Sequence, residues 1–367
     1  MREAVCGRGG ALAAAGAPIA NGSISSRRFG KGGAVPREIG IIGAGVMGLA
    51  TAWALRRRGV DATVYEQFRL GHARGSSHGR SRIFRLAYAE PEYVRLAQEA
   101  LGLWRELEAE SGETLLELHG LVEVVRTLEE STAHTLEACG VAWERLDRDE
   151  AERRYPINVP AESFAVVQPE AGVVLADKAL AAFARELDVR EESRAHPDEL
   201  DADVVVVTAG SWVNELLEQP LDVKVTRETL CYFRPAADGL PIPSLVSFKP
   251  DRHTHDMYSL YDPKYGLKVG AHHAGPEADP DVPGPPEPAL IDRITAWARE
   301  TYRLADPDPL AAETCMYTST PDQTFVLDRR GRIVVGSPCS GHGFKFAPAI
   351  GERLADLALA PAPAAVS

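Results

Sequence analysis

The first long apolar stretch of the chain, residues 39–55, holds no charged residue and divides by pattern. Ile39-Gly40-Ile41-Ile42 is a continuous apolar run of the length of a buried strand. Leu49, Ala50, Ala52, Trp53, Ala54 and Leu55 then predict a helix that stops at Arg56-Arg57-Arg58-Gly59. Residues 60–65 predict a second strand. Residues 203–207 predict another, which leaves into Thr208-Ala209-Gly210-Ser211-Trp212. A buried strand entering a small-residue turn fits a parallel sheet. Between these, Tyr93, Leu96, Ala97, Ala100, Trp104 and Leu107 recur at helical spacing, so 93–107 reads as an amphipathic helix with a core face. Residues 118–125 predict the first strand of a second domain. In Gly266-Leu267-Lys268-Val269-Gly270-Ala271-His272, strand alternation puts Leu267 and Val269 on one face. Lys268 lies on the other face, and His272 falls on the same side as Lys268. Residues 277–288 are acidic and Pro-rich and predict a loop. No internal repeat is present.

The turn between the first strand and the first helix is Gly43-Ala44-Gly45-Val46-Met47-Gly48, and Glu66, followed by Gln67, closes the next strand. This is a complete G-x-G-x-x-G unit with its acid in place. Gly43 allows the tight turn, Gly45 lets the backbone approach a pyrophosphate, and Gly48 lets helix and strand pack closely. The helix N-terminus favours the phosphate charge. Glu66 is placed to accept hydrogen bonds from ribose hydroxyls. A merely structural glycine turn does not account for an acid at that position. The acid disfavours a 2′-phosphate, which leaves NAD or FAD ahead of NADP.

Composition narrows the picture. The chain has 367 residues, 45% apolar and 25% charged, ordinary values for a globular protein. At about 150 residues per domain, two domains are expected. Five cysteines are too few for a disulfide scaffold in a chain of this length. A net charge of −13 argues against a nucleic-acid binder. The charge is uneven. Residues 1–37 carry Arg2, Arg8, Arg27, Arg28, Lys31 and Arg37 against Glu3, a net of +5, which leaves −18 for the rest. This Gly-, Ala- and Ser-rich segment is expected to be a flexible basic tail. Ser26-Arg27-Arg28-Phe29-Gly30-Lys31 before an uncharged run has the form of a twin-arginine signal. However, Gly40, Gly43, Gly45 and Gly48 weaken a membrane helix, and the nucleotide turn explains the run better. A misplaced start codon and a targeting tail both account for residues 1–37. The expectation is a soluble, cytoplasmic monomer with no membrane, nucleic-acid or metal partner.

Beyond Glu66 the chain reads Gly75-Ser76-Ser77-His78-Gly79-Arg80-Ser81-Arg82-Ile83-Phe84-Arg85-Leu86-Ala87-Tyr88. Later come Cys315-Met316-Tyr317-Thr318, Thr320-Pro321-Asp322 and Ser340-Gly341-His342-Gly343-Phe344-Lys345-Phe346. With the glycine unit, this series resembles the sarcosine oxidase and N-methyltryptophan oxidase family of flavoproteins, within the D-amino-acid-oxidase-like class. The resemblance spans about residues 38–360. It implies a mixed α/β fold: a Rossmann-like FAD-binding domain (38–119, 168–218, 316–360) interleaved with a substrate domain on an antiparallel sheet (120–167, 219–315). It implies FAD attached covalently through Cys315, whereas the other cysteines, Cys339 included, read as small apolar side chains. It assigns the substrate carboxylate to Arg85 and Lys345, further substrate contacts to Tyr258 and Tyr317, and catalytic roles to Lys268, Arg82 and His272. Lys268 matches the lysine that activates oxygen, and Arg82 an arginine over the flavin ring. The cofactor-binding set is the glycine unit (Gly43, Ala44, Gly45, Val46, Met47, Gly48), Glu66, Gln67, Ser76, Ser77, His78 and Arg82, with Cys315, Gly341, Gly343, Phe344 and Lys345.

The expected reaction is oxidation of an N-methyl or cyclic amino acid to an imine that water hydrolyses, with O2 reduced to H2O2. An FAD dehydrogenase with another acceptor and a flavin protein that has lost activity stay open as alternatives. One departure from the family is expected to matter. Only residues 188–202, charged and containing Pro197, fill a gap in which relatives carry extra strands, so the cofactor sheet is expected to be trimmed there.

Overall fold

A computed structural model describes residues 38–236, 239–248 and 255–361. The expectation for residues 1–37 lies outside them. The chain opens with β1 (Ile39–Ile42), buried throughout, and α1 (Val46–Arg57). The next strand, β2 (Thr63–Tyr65), is shorter than expected. The reason is local: Arg58, Gly59 and Val60 donate their N–H groups back to Leu55 and Arg56 carbonyls and close the helix. After β3 (Ser81–Phe84) comes α2 (Pro91–Ser111). It outruns its apolar stripe at both ends, starting on Pro91 and stopping at the left-handed Gly112. The strand expected over 118–125 begins only at Leu121, as β5 (Leu121–Val125), after a left-handed turn at Gly120, and a short β4 (Leu116–Glu117) precedes it.

There follow α3 (Ala133–Ala138), β6 (Glu144–Leu146), α4 (Arg148–Arg154), β7 (Phe164–Gln168), β8 (Gly172–Leu175) and α5 (Ala176–Ala184). Then come β9 (Asp188–Arg190), β10 (Val204–Val207), β11 (Lys224–Phe233), β12 (Ser244–Phe248), β13 (His255–Asp262) and β14 (Gly266–Ala271). The chain finishes with α6 (Pro288–Thr301), β15 (Ala311–Ser319), β16 (Val326–Arg330), β17 (Ile333–Ser337) and α7 (Ala347–Leu359).

Three sheets result. A six-stranded sheet has the order β16-β17-β10-β1-β2-β9, parallel except for β16. Helices α1 and α7 pack together in the core cluster that contains Ile41, Val64 and Val206. The segment 188–202 departs from expectation by keeping a strand. β9 pairs with β2, Arg190 O accepts from Glu66 N at 2.9 Å, and Glu66 O accepts from Ser193 N at 2.8 Å. The trimmed edge is therefore still paired next to Glu66.

An eight-stranded sheet has the order β15-β11-β14-β13-β12-β5-β7-β6, antiparallel except where β12 meets β5. β3, β8 and β4 form a small antiparallel sheet. Register sorts the eight-stranded sheet into two faces. Cys315 stands opposite Glu228, Tyr317 opposite Thr226, Lys268 opposite Tyr232 and Leu260, and Tyr258 opposite Gly270. The alternation of strand side chains places Cys315, Tyr317, Glu228, Lys268 and Tyr258 on one face. Cys231, Met257, Leu267 and Val269 take the other face, in a core closed by Ile294 and Ala298 of α6.

Candidate active site

One cavity runs from the glycine turn to the chemical face of the eight-stranded sheet. It is lined by Gly43–Met47, Glu66, Gln67, Ser76–His78, Arg82, Arg85, Tyr258, Lys268, Cys315–Tyr317 and Gly341–Lys345. His72 and Trp212 line its far end beyond Glu66.

At the turn the backbone does most of the work. Tyr65 O accepts from Gly43 N at 2.8 Å, and Ser77 Oγ accepts from Val46 N at 3.0 Å at the start of α1. Glu66 is buried, and its two carboxylate oxygens accept from Ala44 N (2.8 Å) and Phe68 N (2.9 Å). A Cβ at Gly48 would sit 1.9 Å from Gly43 O, so only glycine lets the helix approach the turn this closely.

Arg82 locks the next segment. Its guanidinium donates to Ser76 O at 2.8 Å and Ser81 O at 2.9 Å, and lies 5.5 Å from the Phe344 ring centre. His78 sits between Gly75 O (2.9 Å) and Thr314 O (3.0 Å). Burial, with Arg82 nearby, pulls its pKa down to about 4, so the ring is neutral at pH 7 and donates to only one of them.

Cys315 Sγ lies 3.8 Å from Ser76 O and 4.0 Å from Arg82 Nη2. Burial pushes its thiol pKa up, against the pull of Arg82 and Lys268. Cys339 also reaches the cavity wall, where its sulfur accepts from Thr318 N at 3.4 Å, so it has a specific environment that its sequence context did not show. Lys268 is buried and donates to Ser81 O at 3.2 Å. Burial and the neighbouring Arg82 bring its pKa down to about 7, against the partial pull of Cys315, Asp262 and Glu313.

Tyr317 is hydrogen-bonded to Tyr258, and His272 Nδ1 lies 3.3 Å from the Tyr317 hydroxyl. Burial first, then Tyr258 and Glu228, raises the Tyr317 phenol well above its usual range. Gly341 makes this packing possible. A Cβ there would fall 2.5 Å from Tyr317 and 2.6 Å from His272, and its φ of +73° is left-handed.

At the remaining end, Lys345 lies in a short 3-10 turn, Phe344–Phe346, just before α7. Its Nζ donates to two neutral oxygens, Tyr88 Oη (2.9 Å) and His342 O (2.6 Å). Arg85 is buried, donates to Ala87 O, and holds its guanidinium 4.0 Å from the Tyr88 ring centre. Burial and Arg85 press the Lys345 pKa well below the usual lysine range. Tyr88 and His342 were quoted in the motifs without a role. Tyr88 lies between the two basic side chains, and His342 Nδ1 is 3.4 Å from its hydroxyl. Only the fold reveals this, because no periodicity distinguishes Tyr88 from a core tyrosine.

The residues fit a dinucleotide. The glycine cradle that a Cβ would fill, the helix start and the buried acid stand at one end of the cavity, and two buried basic side chains, Arg85 and Lys345, stand at the other. Among the described residues no cluster of side chains is arranged to hold a metal ion, and no helix is long and apolar enough to cross a membrane.

Known proteins resemble the chain over most of its length. Human peroxisomal sarcosine oxidase is 33% identical over 87% of this chain and 91% of its own length. Monomeric sarcosine oxidase of Bacillus sp. (strain B-0618) is 28% identical over 88% of this chain and 92% of its own. Among solved structures, NikD, an amino acid oxidase essential for nikkomycin biosynthesis, is 26% identical. It superposes with a TM-score of 0.73 over 90% of this chain and 95% of NikD. L-proline dehydrogenase from P. horikoshii, at 21% identity and a TM-score of 0.72, shares the fold. Residues 38–357 match the family described as FAD dependent oxidoreductase (DAO), and the chain belongs to that family.

Proposed function

We propose that the protein is a sarcosine oxidase-like enzyme. It takes a secondary amino acid, N-methyl or cyclic, to an imine, which water hydrolyses to an amino acid and an aldehyde. The observation that carries this reading is the pair of buried basic side chains, Arg85 and Lys345, around Tyr88, in the same cavity as a complete dinucleotide cradle. FAD held by the glycine turn and Glu66 would supply the hydride acceptor, and through it the two electrons that reduce O2 to H2O2.

The chain's own residues do the rest. Arg85 presents a planar fork and Lys345 a point charge to the substrate carboxylate. The carboxylate displaces Tyr88 as the partner of Lys345 and restores the charge that burial suppresses. Fixing that end aims the carbon beside the nitrogen, which lowers the entropic cost of reaction. Tyr258, Tyr317 and His272 wall the amine side. Lys268 offers positive charge where oxygen is reduced, a preorganised electrostatic role. Cys315 is the proposed residue for covalent attachment of the flavin. Its place on the face that carries Lys268 supports that role.

The proposal assigns 38–119, 168–218 and 316–360 to the cofactor and 120–167 and 219–315 to the substrate. Sheet membership supports the division, although β15 runs across 315/316. One chain is taken as the working unit, in keeping with the name of the Bacillus relative.

The test is a screen of the purified yellow protein against N-methyl and cyclic amino acids, following peroxide. Peroxide release with at least one of them is expected, together with colour that stays in the acid-precipitated protein. Turnover only with an artificial electron acceptor would make the enzyme a dehydrogenase. Flavin released into the acid supernatant would remove Cys315 from its role.

A further inference from the structure

Glu228 is a fully buried carboxylate on the chemical face of the sheet, and the reaction above makes no use of it. Burying a charge is costly unless donors surround it. Three donors do. Glu228 Oε2 accepts from Ala274 N at 3.0 Å and Gly275 N at 2.9 Å, and Oε1 accepts from Thr226 Oγ1 at 2.6 Å.

The two N–H groups belong to a break in the sheet. β14 pairs with β11 as far as Gly270, opposite Leu230. The segment 276–278 then takes over the same edge of β11. Pro276 O accepts from Arg227 N at 2.9 Å, Val225 O accepts from Ala278 N at 3.1 Å, and Glu277 bridges to Thr226. Between these pairings residues 273–275 bulge away from β11, while His272 N still donates to Asp256 O of β13 at 2.8 Å, and His273 lies in the left-handed region at φ +50°. A Cβ on Gly275 would meet Arg227 O at 2.0 Å, so the bulge presses tightly against β11. Within it, Glu228 replaces the backbone acceptors that a regular ladder would supply. Bulges next to active sites re-aim side chains. This one sends His272 to 3.3 Å from the Tyr317 hydroxyl, with its ring 4.1 Å from that of His273.

We propose that Glu228 is a positioning residue: by holding the bulge N–H groups it aims His272 at Tyr317, and so fixes the Tyr317–Tyr258 pair against which the substrate amine lies. The part of this that concerns the substrate rests on the secondary-amino-acid reading; the aiming of His272 does not.

The experiment has two readouts on the holoprotein. In histidine-labelled NMR, the His272 ring resonance is identified by its loss in His272→Ala. It should move in Glu228→Gln and move less, in the same direction, in Thr226→Val, while the His78 resonance and the flavin absorbance stay in place. In stopped flow with an N-methyl amino acid, Glu228→Gln should slow flavin reduction about tenfold, the scale of a small misplacement, and leave reoxidation by O2 unchanged. In the His272→Ala background the same substitution should cost nothing further, because both act through one contact. A His272 resonance that stays put in both variants overturns the proposal, as does full additivity with His272→Ala. If Glu228→Gln does not fold, Thr226→Val decides. If the wild type reduces its flavin with no secondary amino acid, the functional reading fails, and the NMR shift alone decides the role of Glu228.

Discussion

The two ends of the cavity are built on different principles. The cofactor end is built mostly from one stretch, Gly43 to Glu66, in which backbone groups and absent side chains do much of the work, with Glu66 and Ser77 bracing the turn. The proposed substrate end collects residues from four distant segments: Arg85, then Tyr258 and Lys268, then Tyr317, and finally Gly341 to Lys345. Its chemistry lies in charges whose protonation the fold has shifted. The cofactor end therefore tolerates no added volume, whereas the substrate end should respond to pH and to single charges.

The sharpest way to break this contrast is Gly48→Val. The added carbons would drive α1 off the turn, and the expected result is protein recovered without bound flavin, read from the ratio of visible to ultraviolet absorbance. Normal flavin content would mean that the close approach is not needed.

Next in size is Lys268→Met. Loss of a preorganised charge typically costs about 10²- to 10³-fold, and here the cost should fall on reoxidation by O2 while reduction by substrate stays near wild type. With the Lys268 pKa near 7, the wild-type reoxidation rate should be high below that pH, where the ammonium is present, and fall as pH rises through it. The variant should lose that dependence. Equal losses in both half-reactions would count against the assignment of Lys268.

The smallest effect sharpens the contrast at the carboxylate end. Burial and Arg85 lower the pKa of free Lys345 well below the usual lysine range, and its Nζ donates to Tyr88 Oη and His342 O. A bound carboxylate favours the charged lysine, so the complex holds one more proton than the free protein. Linkage then requires affinity to weaken as pH rises between the two pKa values, by up to about tenfold per pH unit. Acetate, which lacks an amine, isolates this effect, and its binding can be followed through the flavin spectrum. A flat profile would show that Lys345 is already charged when free.

These regions also differ in what the sequence reveals. The cofactor end is legible because its determinants are local. Gly43, Gly48 and Glu66 announce themselves by spacing, and the strand and helix around them follow from apolar period alone. The strand alternation of Leu267, Lys268 and Val269 correctly separates the core face from the chemical face. The juxtaposition of Arg85 with Lys345, or of Glu228 with the bulge at residues 273–275, is not legible, because no period relates segments so far apart. Resemblance to a known family bridges part of that gap, but it leaves Tyr88 and Glu228 unread. Element ends shift for equally local reasons, as where the closing turn of α1 consumes residues 58–60 and shortens β2. The segment 188–202 looks like a bare connection, yet its backbone forms β9, because β2 offers an unpaired edge.

The position of Lys345 in the chain has a consequence for biosynthesis. Its backbone carbonyl accepts from Trp104 Nε1 at 2.8 Å, and α7, which follows it at once, packs against α1 so closely that a Cβ on Gly351 would lie 2.5 Å from Ala50 O. Lys345 follows the glycine turn by most of the length of the fold, so the proposed carboxylate clamp is completed long after the cofactor motif has left the ribosome. A chain terminated before Lys345 would keep the cofactor motif and lack half of the proposed carboxylate clamp.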